Sequence, residues 1–406
     1  MLWSRVKILA LIAVAAGCFV VREPRVLAGV VLLELAIWGM LRLPLAALYR
    51  TVRKLAIFAF FILITYALVP TDSMQSDIWL TVGIGSWQIQ VNQTGFIFGV
   101  VMSLRMLVVV LASIIVQLSG KPEDFVAGLR GLGVPAVTAI TIDNTFKLLN
   151  SETGRRPGSG GGRGGGGGGG SGRGRQMSQS AGNEELTWIR ILRGDFAFLN
   201  DVIENALVRA RNLTDHGSRS GSESALAKDA VVITALCFLM LTTKMLKVLP
   251  GIPFAPGHKL ILLIPLYILA GALTQSRWGA TLAGTSIGII SFLFGEGRFG
   301  VFEILKHIAP GLVVDALLPW LLRARPPSRW EFVLLGALCA AARIATIVAV
   351  TFLIDAPAVF YALVAPMFIS QTAFGAASGF ITFYLLKSLD RFRRVLDVRR
   401  PSQVGT

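Results

Sequence analysis

Ten apolar runs divide this chain, near residues 7–22, 26–41, 55–70, 95–118, 229–246, 259–274, 279–295, 309–323, 332–354 and 357–386. A helix that crosses the ~30 Å hydrocarbon layer needs about 20 mostly apolar residues. Lipid offers the backbone no water to bond, so each run is expected as a helix. The first two runs are short, and the last is long enough to tilt or break. Only 15% of the residues are charged and 54% are hydrophobic, against roughly 25% charged in soluble domains. An ordinary cytosolic enzyme is therefore a poor fit. The expected fold class is all-α, a polytopic membrane protein with about ten transmembrane helices.

The loops set the expected sidedness, because cytoplasmic loops carry an excess of Lys and Arg. Segment 41–54 holds Arg42, Arg50, Arg53 and Lys54 with no acid, which places it inside. Segment 71–95 has Asp72 and Asp77 with no base, which places it outside. Arg323, Arg325 and Arg329 crowd one later loop, and Lys387, Arg391, Arg393, Arg394, Arg399 and Arg400 fill the tail. Ten spans with both termini cytoplasmic put these loops on their expected sides; the short turn with Arg22 and Arg25 disagrees. The net charge of +16 thus reads as inner-loop charge, and no nucleic-acid partner is expected. The first run ends in Ala15-Ala-Gly-Cys18, as some cleaved signals do. A second apolar run follows almost at once, and Ala15 stands where a lipobox prefers Leu, so a retained span is expected. Cys18, Cys237 and Cys339 all lie in apolar runs, as small core residues do.

Between the fourth and fifth runs lie about 110 residues without a span. Their centre, 154–175, is mostly glycine with scattered arginines, a composition that makes a flexible tether. It lacks the aromatic residues with which single-stranded nucleic acid is stacked. No Gly-x-x-x-x-Gly-Lys-Ser/Thr loop occurs, so no ATP site of that kind is expected in the chain itself. Before the tether, Lys121-Pro-Glu-Asp124 opens a helix that Gly133-Val-Pro135 breaks, and 136–149 resumes it. After it, Trp188, Ile191, Leu192, Phe196, Leu199, Ile203 and Leu207 recur at threes and fours, an amphipathic helix to about Thr214. Such a helix either lies on the bilayer or docks into a partner's groove.

This order of parts resembles the energy-coupling factor (ECF) family of vitamin and metal importers. Residues 1–118 with the following helices look like the transmembrane T component, the CbiQ-type permease. The similar stretch runs from Arg105 through Ser119-Gly-Lys-Pro-Glu-Asp-Phe-Val-Ala-Gly-Leu-Arg-Gly-Leu-Gly-Val-Pro135 to 142–152 and 204–212. The resemblance implies coupling helices that contact two cytoplasmic ATP-binding cassette ATPases through Ala-Arg-Gly type motifs. The matching residues are Ala210, Arg211 and Asn212, with Asn where Gly is usual, and a degraded first motif around Arg155 and Arg156. ATP and Mg would sit on those ATPases, with no cofactor in this chain. Residues from about 229 resemble a substrate-binding S component, through Leu249–Lys259, Gly279–Gly284, Gly295–Gly300 and Glu303–Asp315. The implied organisation is a T-type module at 1–118, coupling helices at 119–228, an S-type module at 229–390 and a basic tail at 391–406. The span at 229–246 could serve either module.

Loops 247–258, 295–308 and 355–357 fall outside by the sidedness argument and carry the candidate substrate residues. These are His258, Lys259, Glu296, Phe299, Glu303, His307, Asp355 and Tyr361. Both charge signs beside Phe and Tyr suit a heteroaromatic or zwitterionic small molecule; the resemblance implies a vitamin or its precursor. The plainer alternative makes Glu303, Lys306 and His307 a solvated helix face with a local ion pair. Within spans, Arg105, Asp315, Arg343 and Gln371 are costly to bury, and Asp315 with Arg343 is an eligible pair. Three histidines among few carboxylates give no metal site that spacing supports. Small residues such as Gly271, Gly279, Gly284, Gly288, Ala340, Gly375 and Gly379 offer close-packing faces for a joint between modules. The expected function is thus a multi-pass inner-membrane permease subunit, itself no enzyme. Its rivals are an ion-coupled secondary transporter, which needs buried acids, and a lipid or isoprenoid enzyme, which needs clustered carboxylates or histidines.

Overall fold

The structure is a computed structural model. It describes residues 2–68, 78–84, 87–120, 122–153, 203, 207–208, 224–245, 259–294, 300–324, 328–353 and 358–398. Each of the ten apolar runs lies on a helix. Among the described residues, four helical stretches are long and apolar enough to cross a membrane: Gln93–Leu118, Leu226–Thr243, Arg329–Leu353 and Val364–Lys387. Others are apolar but shorter, among them Leu260–Leu273 and Gly279–Leu293.

In the first part, α1 (Leu2–Val20), α2 (Pro24–Met40) and α3 (Leu45–Leu68) surround α4 (Gln93–Leu118). Pro24 opens α2, where a missing N–H costs nothing. The end of α2 folds back on itself: Arg42 N–H donates to Gly39 O (3.1 Å) and Leu43 N–H to Trp38 O (3.2 Å). This 5→2 and 6→1 pair requires a left-handed residue, and Arg42 takes it with φ 51°. Between α3 and α4 stands an antiparallel hairpin, β1 (Trp79–Ile84) and β2 (Trp87–Asn92), paired from Trp79↔Asn92 to Ile84↔Trp87. The hairpin is a small strand pair within a fold that is otherwise helical among the described residues, as expected. Asn92 then caps α4, its Oδ1 accepting from Gly95 N–H at 2.9 Å.

At the other end of α4, Lys7 Nζ donates to Ser119 O (2.9 Å) and Ser119 Oγ (3.1 Å), which ties the start of α1 to the end of α4. Then α5 (Pro122–Gly131) packs across α1, and α6 (Ala136–Thr153) follows. The expected break at Gly133 is present. Gly133 has φ 88°, its N–H reaches Arg130 O (3.2 Å), and Val134 N–H reaches Leu129 O (3.2 Å). Pro135 then prevents the same helix from continuing.

The second part comprises α7 (Ser224–Met245), α8 (Leu260–Leu273), α9 (Gly279–Leu293), a 3-10 turn (Gly300–Phe302), α10 (Glu303–Ala324), α11 (Arg329–Leu353) and α12 (Ala358–Val398). Helix α8 is its hub, touching α7, α9, α10, α11 and α12, with Leu260 and every residue from Leu262 to Ala270 buried. Its 14 residues span about 21 Å, short of the hydrocarbon layer, which suits a core helix. Helix α11 starts with a reciprocal cap: Ser328 N–H donates to Glu331 Oε2 (2.8 Å) and Glu331 N–H to Ser328 Oγ (3.4 Å).

The small residues expected at an inter-module joint lie instead between helices of the second part. A Cβ at Gly284 would strike the His307 backbone and one at Gly288 the Ile304 backbone, so α9 and α10 are in near contact. Gly375 and Gly379 of α12 similarly meet Gly336, Ala340 and the Phe332 carbonyl of α11. Lipid tails are as apolar as Leu, so close backbone approach and dispersion hold such pairs together.

The joint itself is aromatic. Phe146 of α6 lies 5.7 Å from Phe294, and Phe19 of α1 lies edge-on, 5.7 Å from Phe302. Ser113 of α4 donates to Phe292 O at 3.0 Å. Gly300, with φ 54°, sits against Phe19 and Val109. Helix α7 packs on α6 as well as on α8 and α9, so it belongs to both halves. Beyond α9, the 300–302 turn packs against α1 and α4 of the first part.

Candidate functional site: a buried polar face in the second half

Helix α10 is polar where it is hidden. Glu303, His307, Pro310, Val314, Asp315 and Leu318 are buried, whereas Leu305, Leu312, Trp320 and Leu322 are exposed. That inversion is what lipid demands: apolar side chains meet the tails and polar ones face the bundle.

Two acids in the second half hold backbone. Asp315 accepts from Ala280 N–H (3.0 Å) and Thr281 N–H (2.7 Å), capping α9 from a neighbouring helix. Asp229 of α7 accepts from Gln275 N–H (2.7 Å) and Ser276 N–H (2.9 Å) in the α8–α9 turn. A carboxylate suits the free N–H groups of a helix start in both charge and geometry. The eligible Asp315–Arg343 pair is thereby corrected: both Asp315 oxygens are already used on backbone.

Higher on the same face, the Tyr267 hydroxyl and His307 Nδ1 share a hydrogen bond of 2.6 Å, and both side chains are fully buried. Arg343 of α11 is only partly buried. Its Nε is buried with no hydrogen-bond partner. Gln371 is also buried, with Oε1 unpartnered. It stands one turn from Gly375, and Arg343 one turn from Ala340; these two small residues touch. Glu303 pairs with Lys306 one turn away. The ion pair of the plainer reading thus exists, but Glu303 is only 2% exposed, so the face is not solvated.

Of the substrate candidates, Glu303 and His307 are brought together on this face. Lys259 stands exposed at the start of α8, two turns before Tyr267. Tyr361 falls in the first turn of α12, with its side chain outside the described part. His258, Glu296, Phe299 and Asp355 lie outside the described residues, as do the coupling candidates Arg155, Arg156, Ala210, Arg211 and Asn212. Tyr267 was missed. A lone hydroxyl inside Leu260–Leu273 signals it, because a buried Tyr seeks a partner. Among the described residues no group of three His, Cys, Asp or Glu is placed to hold a metal.

The first half holds buried charge too. Glu34 of α2 is 6% exposed with both oxygens unpartnered, a residue the sequence reading passed over inside its apolar run. Arg105, equally buried, donates from Nη2 to Val21 O at 2.9 Å and lies over the Phe19 ring at 5.9 Å. It closes the open end of α1, a structural role.

No curated protein and no solved structure matches the chain. Residues 1–149, which cover α1 to nearly the end of α6, match the family model described as cobalt transport protein, CbiQ.

Proposed function

We propose that this chain is the membrane permease of an ATP-driven, ECF-type importer, with a T-type module and an S-type module on one polypeptide. The match of residues 1–149 to the CbiQ model carries the T-type part of this reading. The helices α4, α7, α11 and α12, long and apolar enough to span, support a membrane setting. Two separate cassette ATPases would bind the 119–228 region and hydrolyse ATP. The second half would bind the cargo, a vitamin or related micronutrient, at its buried polar face. The chain itself would work as a permease and not as an enzyme, in the inner membrane with both termini cytoplasmic.

A secondary transporter that carried its ion on Asp315 or Glu303 of the second half is disfavoured by how these two acids are engaged. Asp315 is engaged by backbone and Glu303 by Lys306. Arg211 tests the reading, since its fork can hold carboxylates and helix-end carbonyls at a joint. Arg211→Glu is expected to abolish co-purification of the ATPase pair while the chain still folds, as judged by size-exclusion chromatography. Unchanged co-purification removes the assignment.

A further inference from the structure

The β1–β2 hairpin is fixed to the end of a helix long and apolar enough to span a membrane. Gln93 N–H, at the start of α4, donates to Ile78 O (2.8 Å), and Ile78 N–H donates to Thr94 Oγ1 (3.3 Å). A Cβ on Gly95 would fall on the Tyr66 carbonyl, so the last turn of α3 lies at the same level. No charged residue occurs from Ile78 to Leu104. Successive strand residues belong to opposite faces, so the register divides the hairpin into two sets. The pairs Leu80↔Val91, Val82↔Ile89 and Ile84↔Trp87 are wholly apolar, whereas Thr81↔Gln90 and Gly83↔Gln88, which alternate with them, hold no large apolar residue. Leu80 of the apolar set is 49% exposed, and Ile78, two residues before it, is 57% exposed. Phe96, Ile97 and Phe98 in the adjoining turn of α4 are exposed as well, which makes this end of the molecule apolar outside.

We infer that the hairpin lies flat on the membrane at the α3–α4 end, with its Leu80–Val91 set in the boundary between headgroups and acyl chains and its Thr81–Gln90 set toward water. A two-stranded hairpin alone in water is marginally stable, and strand edges left in water are commonly guarded by charged residues; this hairpin has none. In the headgroup layer the unpaired backbone edges stay hydrated while one face leaves water. Trp is enriched at that depth, and the hairpin carries Trp79 and Trp87. A further strand added along an edge would bond backbone and would not need one register set to be apolar throughout, so the alternation favours a surface as the partner. The inference needs α4 to cross a membrane and needs no ATPase or cargo, so its failure and that of the importer reading are separate results.

The experiment is nitroxide accessibility in the purified full chain, reconstituted into phosphatidylcholine vesicles. One cysteine is introduced at a time: Leu80→Cys, Val82→Cys or Ile89→Cys in the apolar set, and Thr81→Cys, Gln88→Cys or Gln90→Cys in the other. Cys18, Cys237 and Cys339 are buried, and the chain without an introduced cysteine supplies the background. Collisions with oxygen, which concentrates in lipid, are compared with collisions with a water-soluble nickel chelate. The ratio is expected to be severalfold higher at 80, 82 and 89 than at 81, 88 and 90. Chelate-dominated collisions in both sets would overturn the inference, since the hairpin would then stand in water. Low access to both reagents at 80, 82 and 89 would also overturn it, because protein, a second copy included, would then cover that face. An unlabelled check uses lipid brominated near the top of its acyl chains: Trp87→Phe should remove part of the quenching of tryptophan emission, and unchanged quenching would contradict the inference.

Discussion

A buried carboxylate that holds two backbone N–H groups of another helix does more than one that meets a single side chain. Asp315 ties α10 to the start of α9 through Ala280 and Thr281. Hydrogen bonds to a charged group are worth about 1.5–3 kcal/mol each. Asp315→Ala is therefore expected to lower stability by about 2–4 kcal/mol, read as a drop in melting temperature, with Asp315→Asn intermediate. A variant that melts with the wild type would show that the cap contributes nothing. Tyr267→Phe makes a second case, because it leaves His307 Nδ1 without its 2.6 Å partner. Losing a buried hydrogen bond of this kind costs about 0.5–1.5 kcal/mol, measurable in the same melt. Asp315 was visible in the sequence as an acid inside an apolar run, but its partners were not. Backbone N–H groups belong to every residue, so no residue type marks them, and Arg343 looked like the natural mate. Glu34 carried the same signal and was passed over.

At the scale of elements, glycine separates what must be close from what merely can be. A Cβ on Gly379 would fall on the Phe332 carbonyl, whereas one on Gly17 meets nothing within 4 Å. Gly379→Ala is expected to force α11 and α12 apart at a cost of about 1–3 kcal/mol. Gly17→Ala, inside α1, should be neutral or slightly stabilising by helix propensity. Equal melting temperatures for the two variants would contradict this close approach. Helices were legible because their signals are local: Pro24 and Pro135 set boundaries, and Gly133 ends α5 as its position implied. The Ser328–Glu331 cap was equally local. The hairpin was written in the alternation of Trp79–Ile84 and Trp87–Asn92, a period-2 pattern overshadowed by the longer apolar runs around it. Which helices the glycines would join was not local, and there the inter-module expectation failed.

For the whole molecule, the joint is where loop arithmetic stops. Positive charge in loops reports which loops stay inside, but it carries no information about what packs on what. Phe146 on Phe294 and Ser113 on Phe292 O lock the α9 end against α4 and α6, and α7 is shared by both halves. The second half is thus built onto the first through packed side chains as well as through the chain linking them. The candidate site was half legible: His307 and Glu303 were singled out, but Tyr267 enters only when α8 is seen as the hub. The central claim is that outside ATPases power import through this chain. The direct measurement is uptake of labelled vitamins by proteoliposomes holding the chain with a cassette ATPase pair, with ATP or a non-hydrolysable analogue supplied on the ATPase side. Accumulation with ATP, its loss with the analogue and its loss in Arg211→Glu are the predicted result. Equal accumulation by the chain alone, driven by an ion gradient without ATPases, would contradict the account.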